Sequence, residues 1–141
     1  MTDGLVAFLR ARLDEDYEAA RLTLDVNAMT AYKRGKPLPR WVPSPEGDAS
    51  IWDTDGTPRV KFVWAREMDH IIRHDPARVV AEVAAKRLIV DQSAYWERQA
   101  GGNIAALTNT ERAQRHTWLA ACRMLAAVYA DHPDYREEWR P

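Results

Sequence analysis

Apolar residues recur at spacings of three and four near the start of the chain: Leu5, Leu9, Leu13, Tyr17, Ala20 and Leu24 form one stripe. Such spacing puts side chains on one face of a helix. It predicts one long helix over 3–32, capped by Asp3, with Asp14, Glu15, Asp16 and Glu18 mostly off the stripe and solvated. Gly35 marks its end, with Lys33 and Arg34 at the negative end of the helix dipole. Pro37, Pro39, Pro43 and Pro45 then interrupt the pattern. Proline lacks the amide donor and restricts the residue before it, so 36–47 reads as an extended strap.

Residues 49–64 read as a β-hairpin. Asp55-Gly56 is a strong two-residue turn signal, with both residues at positive φ. That register pairs Ile51 with Val60, Trp52 with Arg59 and Thr54 with Thr57. Ala49, Ile51, Val60, Phe62 and Trp64 then face the helices, because a lone hairpin is marginal in water. Ser50, Trp52, Arg59, Lys61 and Val63 take the other face. Trp52 is the odd residue there, placed to stack on Arg59 or Lys61 or to meet a partner.

A short helix is predicted over 65–74. Asp75-Pro76 restarts the chain with a good cap and a proline at the first helical position. The next helix, 76–99, carries Val79, Val80, Val83 and Ala84 on one face and Leu88 and Ile89 on another, which suits a central helix or a subunit contact. Gly101-Gly102 ends it. Thr108 and Glu111 have capping-box spacing and open a last helix over 109–130, with Trp118, Cys122, Leu125 and Tyr129 as its stripe. A tail over 131–141 is dense in aromatic and charged residues, and Tyr135 and Trp139 are expected to dock on the body or on a partner. The fold class that results is mainly α (α+β). It is one domain, a bundle of three long helices and one short helix with a small antiparallel β-hairpin packed on it.

Composition agrees with a globular chain. Its 141 residues suit one domain able to fold without disulfide or metal, and the single cysteine, Cys122, excludes an intramolecular disulfide. The formal net charge is −1, with no basic arm and no acidic tail. The start lacks a basic segment followed by an apolar stretch, and no apolar run approaches the roughly 20 residues of a membrane span. A soluble, cytoplasmic protein is expected. Six tryptophans supply large apolar area for a core or an interface. Arg outnumbers Lys 16 to 4, as in GC-rich genomes.

Candidate chemistry is sparse. His70 and His74 are four apart on a helix, so both rings can face one way and hold a divalent metal. A third ligand would have to come from Asp75, His116 or the Asp131-His132 pair, and the Glu that follows the first His of a zinc protease is replaced by Ile71. Cys122 sits on an apolar stripe, where a thiol is inert. Gly101-Gly102-Asn103 lacks the Lys and Ser/Thr of a phosphate loop, and no nucleophile elbow is present. Neither a catalytic set nor a cofactor fingerprint emerges.

Three functions remain. The favoured one is a non-catalytic interaction or regulatory module that binds a protein partner or forms a homo-oligomer through Trp52, Arg59, Lys61, Tyr135 and Trp139. The second is a small metal-dependent hydrolase using His70, His74 and His132. The third is a nucleic-acid binder in which Arg40, Arg59, Lys61 and Arg66 flank Trp41, Trp52 and Trp64; Asp48, Asp53 and Asp55 offset that charge and count against it.

Three blocks carry a family likeness. They are Leu5-Val6-Ala7-Phe8-Leu9-Arg10-Ala11-Arg12-Leu13-Asp14-Glu15-Asp16, His70-Ile71-Ile72-Arg73-His74-Asp75-Pro76-Ala77-Arg78-Val79-Val80 with Glu82 and Lys86-Arg87, and the tail from Tyr129 to Pro141. Together and in this order they resemble an uncharacterised family of small actinobacterial and actinophage proteins, domain of unknown function 6221. The resemblance implies a shared fold and an actinobacterial or phage source. It implies no activity.

Overall fold

The computed structural model of the chain describes residues 4–141, so the Asp3 cap expected for the first helix lies outside the described residues. Among the described residues the order is α1 (Leu5–Arg21), α2 (Val26–Lys33), β1 (Trp41–Pro43), β2 (Ile51–Asp53), β3 (Pro58–Val60), α3 (Ala65–Arg73), α4 (Pro76–Ala100) and α5 (Asn109–Ala127). Short 3-10 turns cover Ile104–Ala106 and Glu137–Trp139. The chain is mainly helical with a small antiparallel sheet, as its hydrophobic pattern predicts.

The long helix expected over 3–32 is two helices. α1 stops at Arg21 because Thr23 turns back on it: the Thr23 hydroxyl donates to the Ala20 carbonyl at 2.8 Å. Asp25 then caps α2 by accepting the Ala28 N–H at 2.7 Å. Short polar side chains compete with the helical backbone for its own hydrogen bonds, and here two of them within three residues outweigh an unbroken apolar stripe. α2 ends as expected, with Gly35 at φ +87° past its last turn.

Residues 4–15 with 83–141 make one compact unit and 16–82 another, with both divisions inside helices α1 and α4. In the first unit Leu5, Phe8, Leu9 and Leu13 of α1 are buried, as are Val83, Val90 and Ala94 of α4 and Leu119, Cys122 and Ala126 of α5. Arg10 pairs with Asp91 at 3.0 Å and Arg87 with Asp14 at 2.7 Å, so α1 and α4 are also bridged at their exposed edges. The capping box of α5 is present: Glu111 N donates to the Thr108 hydroxyl at 3.2 Å, and Thr108 N donates to the Glu111 carboxylate at 2.7 Å.

The tail docks on this same unit. Trp139 is 2% exposed and its ring centroid lies 5.0 Å from that of Phe8. Tyr129, His132 and Tyr135 meet the same Phe8 ring at 5.7–6.3 Å with their planes steeply inclined to it, the edge-on geometry aromatic quadrupoles favour. The Trp139 indole N–H is buried without a protein acceptor, so ring packing rather than a hydrogen bond holds that side chain.

In the second unit Ala20, Met29, Leu38 and Val80 form a buried cluster, flanked by Tyr17, Leu24, Ala77 and Val79. The sheet order is β1-β2-β3, all antiparallel. The strap therefore holds an edge strand as well as extended chain, and the hairpin has a third partner. Pro43 and Pro58 sit in the two edge strands, where a missing amide costs no ladder bond and discourages further pairing.

The hairpin turn differs from the two-residue form expected. Gly56 N donates to the Asp53 carbonyl at 3.0 Å and Asp53 N to the Thr57 carbonyl at 2.9 Å, which leaves a three-residue loop, Thr54 to Gly56. Of its residues only Gly56 has positive φ, at +85°. This is a type I turn followed by a left-handed glycine. Ile51 still opposes Val60, but Trp52 opposes Pro58 rather than Arg59, which becomes the extra residue of a bulge. The expected register is regained at Val60, and Phe62 then leaves the strand conformation with φ +60°. Val63 is buried, whereas Phe62 and Trp64, expected to pack inward, are 89% and 81% exposed.

Candidate interaction site

Asp53 builds the turn from beneath. Its Oδ1 accepts the Asp55 and Thr57 N–H groups at 3.0 and 2.9 Å, and Oδ2 accepts Arg59 Nε at 2.7 Å. Burial pushes the Asp53 carboxyl up, but the Thr57 N–H, the hydrogen bond and charge of Arg59 and the Asp55 N–H together hold it below the usual carboxylate range. Arg59, expected to be available to a partner, is thereby committed to the hairpin.

Asp75 anchors the edge strand β1 at this same end of the sheet, where Trp41 opposes Asp53, and is fully buried. It caps α4 by accepting Arg78 N at 2.9 Å, and its second oxygen accepts Trp41 N at 3.1 Å and Arg40 Nε at 2.7 Å. The cap read from Asp75-Pro76 therefore also fastens β1. Of the four cations flanking the hairpin tryptophans, Arg40 and Arg59 are spent on buried carboxylates.

Away from these anchors, toward the open end of the hairpin, lies a pocket of about 390 Å³, lined by Asp48, Ala49, Ser50, Trp52, Pro58, Lys61 and Phe62. Its polar groups are largely engaged with each other. The Trp52 indole N–H donates to the Ser50 hydroxyl at 3.0 Å, and the Ser50 hydroxyl donates to Asp48. Hydrogen bonds from Ser50 and Ser44 hold the Asp48 carboxyl below its ordinary value. Lys61 has no hydrogen bond, ion pair or ring contact among the described residues. Trp52 therefore shares a pocket with Lys61 but does not stack on it.

Phe62 stands at the rim with φ +60°. A bulky residue in the left-handed region costs on the order of 1–3 kcal/mol, and Phe62 gains no burial in return. Trp64, two residues on, caps α3 through its backbone alone. Phe62, Pro58 and the Asp48–Ser50 segment are the site residues that sequence reading missed. A signal was present for Pro58 alone: Asp53 and Gly56 occupy the first and fourth places of a type I turn, where Asp and Gly are favoured, and that turn sets Pro58 opposite Trp52.

The histidines lie elsewhere. His70 and His74 on α3 have ring centroids 4.4 Å apart, and both are exposed. His74 Nδ1 donates to the His70 carbonyl at 2.8 Å, which leaves Nε2 as the lone-pair nitrogen of the neutral ring. His132 belongs to the other unit, where it contacts Arg12 through both ring nitrogens, with Arg12 Nη1 at 2.8 Å from Nδ1. Among the described residues no three His, Cys, Asp or Glu side chains are grouped to hold a metal ion. Cys122 is fully buried, and burial raises its thiol, opposed by a hydrogen bond with Ser93. Of the tail residues read as partner contacts, Trp139 is buried on Phe8 and Tyr135 half-buried beside it. Among the described residues no helix is long and apolar enough to cross a membrane.

The model of a family described as a family of unknown function, DUF6221, matches residues 2–141. No curated protein and no solved structure matches the chain.

Proposed function

The chain belongs to DUF6221, a family of unknown function, and on that premise we propose that it is a non-catalytic interaction module acting through protein contacts made by the hairpin. One observation carries the reading. Phe62 and Trp64 are bulky aromatics left in solvent beside an apolar pocket, and Phe62 sits at a strained backbone position. Strain without local compensation points to a use outside the fold. Each ring would gain about 1.5–3 kcal/mol on burial against a partner. The inert Cys122 thiol supports a role without covalent chemistry.

The test compares the immobilised wild-type chain with a Phe62→Ser/Trp64→Ser variant, each verified as folded by circular dichroism. Proteins retained from a lysate of the source organism are identified by mass spectrometry. A protein held by the wild type and lost at least about tenfold from the variant supports the reading. Equal retention by both, or none by either, overturns it.

A further inference from the structure

The polar accounting of the hairpin pocket specifies what enters it. Trp52 spends its indole N–H on Ser50, Ser50 spends its hydroxyl on Asp48, and Asp48 is held by two serine hydroxyls. Lys61 is the one charged group of the pocket without a partner among the described residues. The remaining walls are the Trp52 and Phe62 rings and Pro58. A ligand matched to this surface brings one anionic group for Lys61 and an apolar body for the rings.

We infer that the pocket receives an acidic–apolar segment of a partner polypeptide, with a large apolar side chain against Trp52 and Phe62 and an adjacent carboxylate on Lys61. This rests on the interaction reading above and names the partner's chemistry. The pocket, about 390 Å³, lies at the small end of the range for ligand sites and suits one or two side chains. A polypeptide fits better than a free small acid because a second depression, bordered by the exposed Trp64 with Ala65, Arg66 and Glu67, begins two residues after Phe62 in the chain. A polyanion such as nucleic acid fits poorly: two of the four local cations are tied down, and the Asp48 carboxylate lines the same pocket. The segment lies on the sheet face and does not extend the sheet, because Pro43 and Pro58 stand in its two edge strands.

The experiment titrates the full ¹⁵N-labelled chain with two blocked peptides, Ac-Gly-Leu-Phe-Asp-Leu-Gly-NH2 and its Asn analogue, following the Trp52 indole resonance. The acidic peptide is expected to shift Trp52 saturably and to bind about five- to tenfold more tightly than the Asn analogue. Lys61→Gln should bring the acidic peptide down to the level of the analogue and leave the analogue unchanged, and Phe62→Ser should weaken both. Lys61 is exposed and unpaired, so Lys61→Gln retains the fold. Equal affinity for the two peptides, shifts that spare Trp52, or no saturable shift from either peptide overturns the inference. So does phenylacetate binding as tightly as the peptide, which marks a small-acid site, or a Trp52 shift that follows protein concentration alone, which marks self-docking. If the peptides fail while a lysate partner is still lost with Phe62 and Trp64, the inference falls and the interaction reading stands. If both fail, both fall.

Discussion

Two aspartates show how much a short acid can hold. Asp75 accepts three hydrogen bonds from two segments far apart in the chain and is fully buried. Asp75→Ala removes a helix cap and leaves the Trp41 N–H without its acceptor. It should cost about 2–3 kcal/mol in urea denaturation, from about 1 for the cap and 1–2 for the part-buried amide. Asp75→Asn, which can still cap, should cost less. Asp53 gives a pH dependence. Its folded carboxyl lies below the unfolded value, so its contribution is full above about pH 4 and is lost as pH falls through the folded value. Asp53→Asn should therefore lose less stability than the wild type between pH 7 and pH 3, and an equal loss would remove Asp53 as the source. The Asp75 cap was legible because Asp-Pro is a local signal. Its bond to Arg40, a residue 35 positions away, was not.

At the scale of elements, departures from expectation came where two local signals competed. The stripe through Leu24 is genuine, yet Thr23 and Asp25 divide it into α1 and α2. Asp55-Gly56 is a turn in either hairpin form, and the buried Asp53 selects the longer one by gathering the amides of Asp55 and Thr57. The tail needed no such choice, since an aromatic-rich end seeks a docking surface, and Phe8 provides it. Trp139→Ala should cost about 3–5 kcal/mol, the range for emptying a large aromatic site. It should also remove hydrogen-exchange protection from the first turns of α1. Unchanged stability would mean that the tail is bound only loosely.

For the whole molecule the balance is between weak charge and exposed apolar area. The chain is near neutrality at about pH 6.4, where self-repulsion is least. Phe62 and Trp64 then stand in solvent with little electrostatic protection. Light scattering should report more association at pH 6.4 than at pH 8, and the Phe62→Ser/Trp64→Ser variant should reduce the difference; an undiminished difference would place the association elsewhere. The division between sequence and tertiary structure follows the range of the forces. The sequence by itself determined the mainly helical class and the ends of most helices, because periodicity and capping act within about four residues; it left the tail to dock on the body or on a partner. It also placed Trp52 and Lys61 on one face of the hairpin. The tertiary structure decided that Arg59 serves Asp53 and Arg40 serves Asp75. It decided as well that Phe62 faces outward beside Trp52. Those outcomes turn on a left-handed Phe62 just past the strand and on partners brought together by folding, to which no local pattern is sensitive.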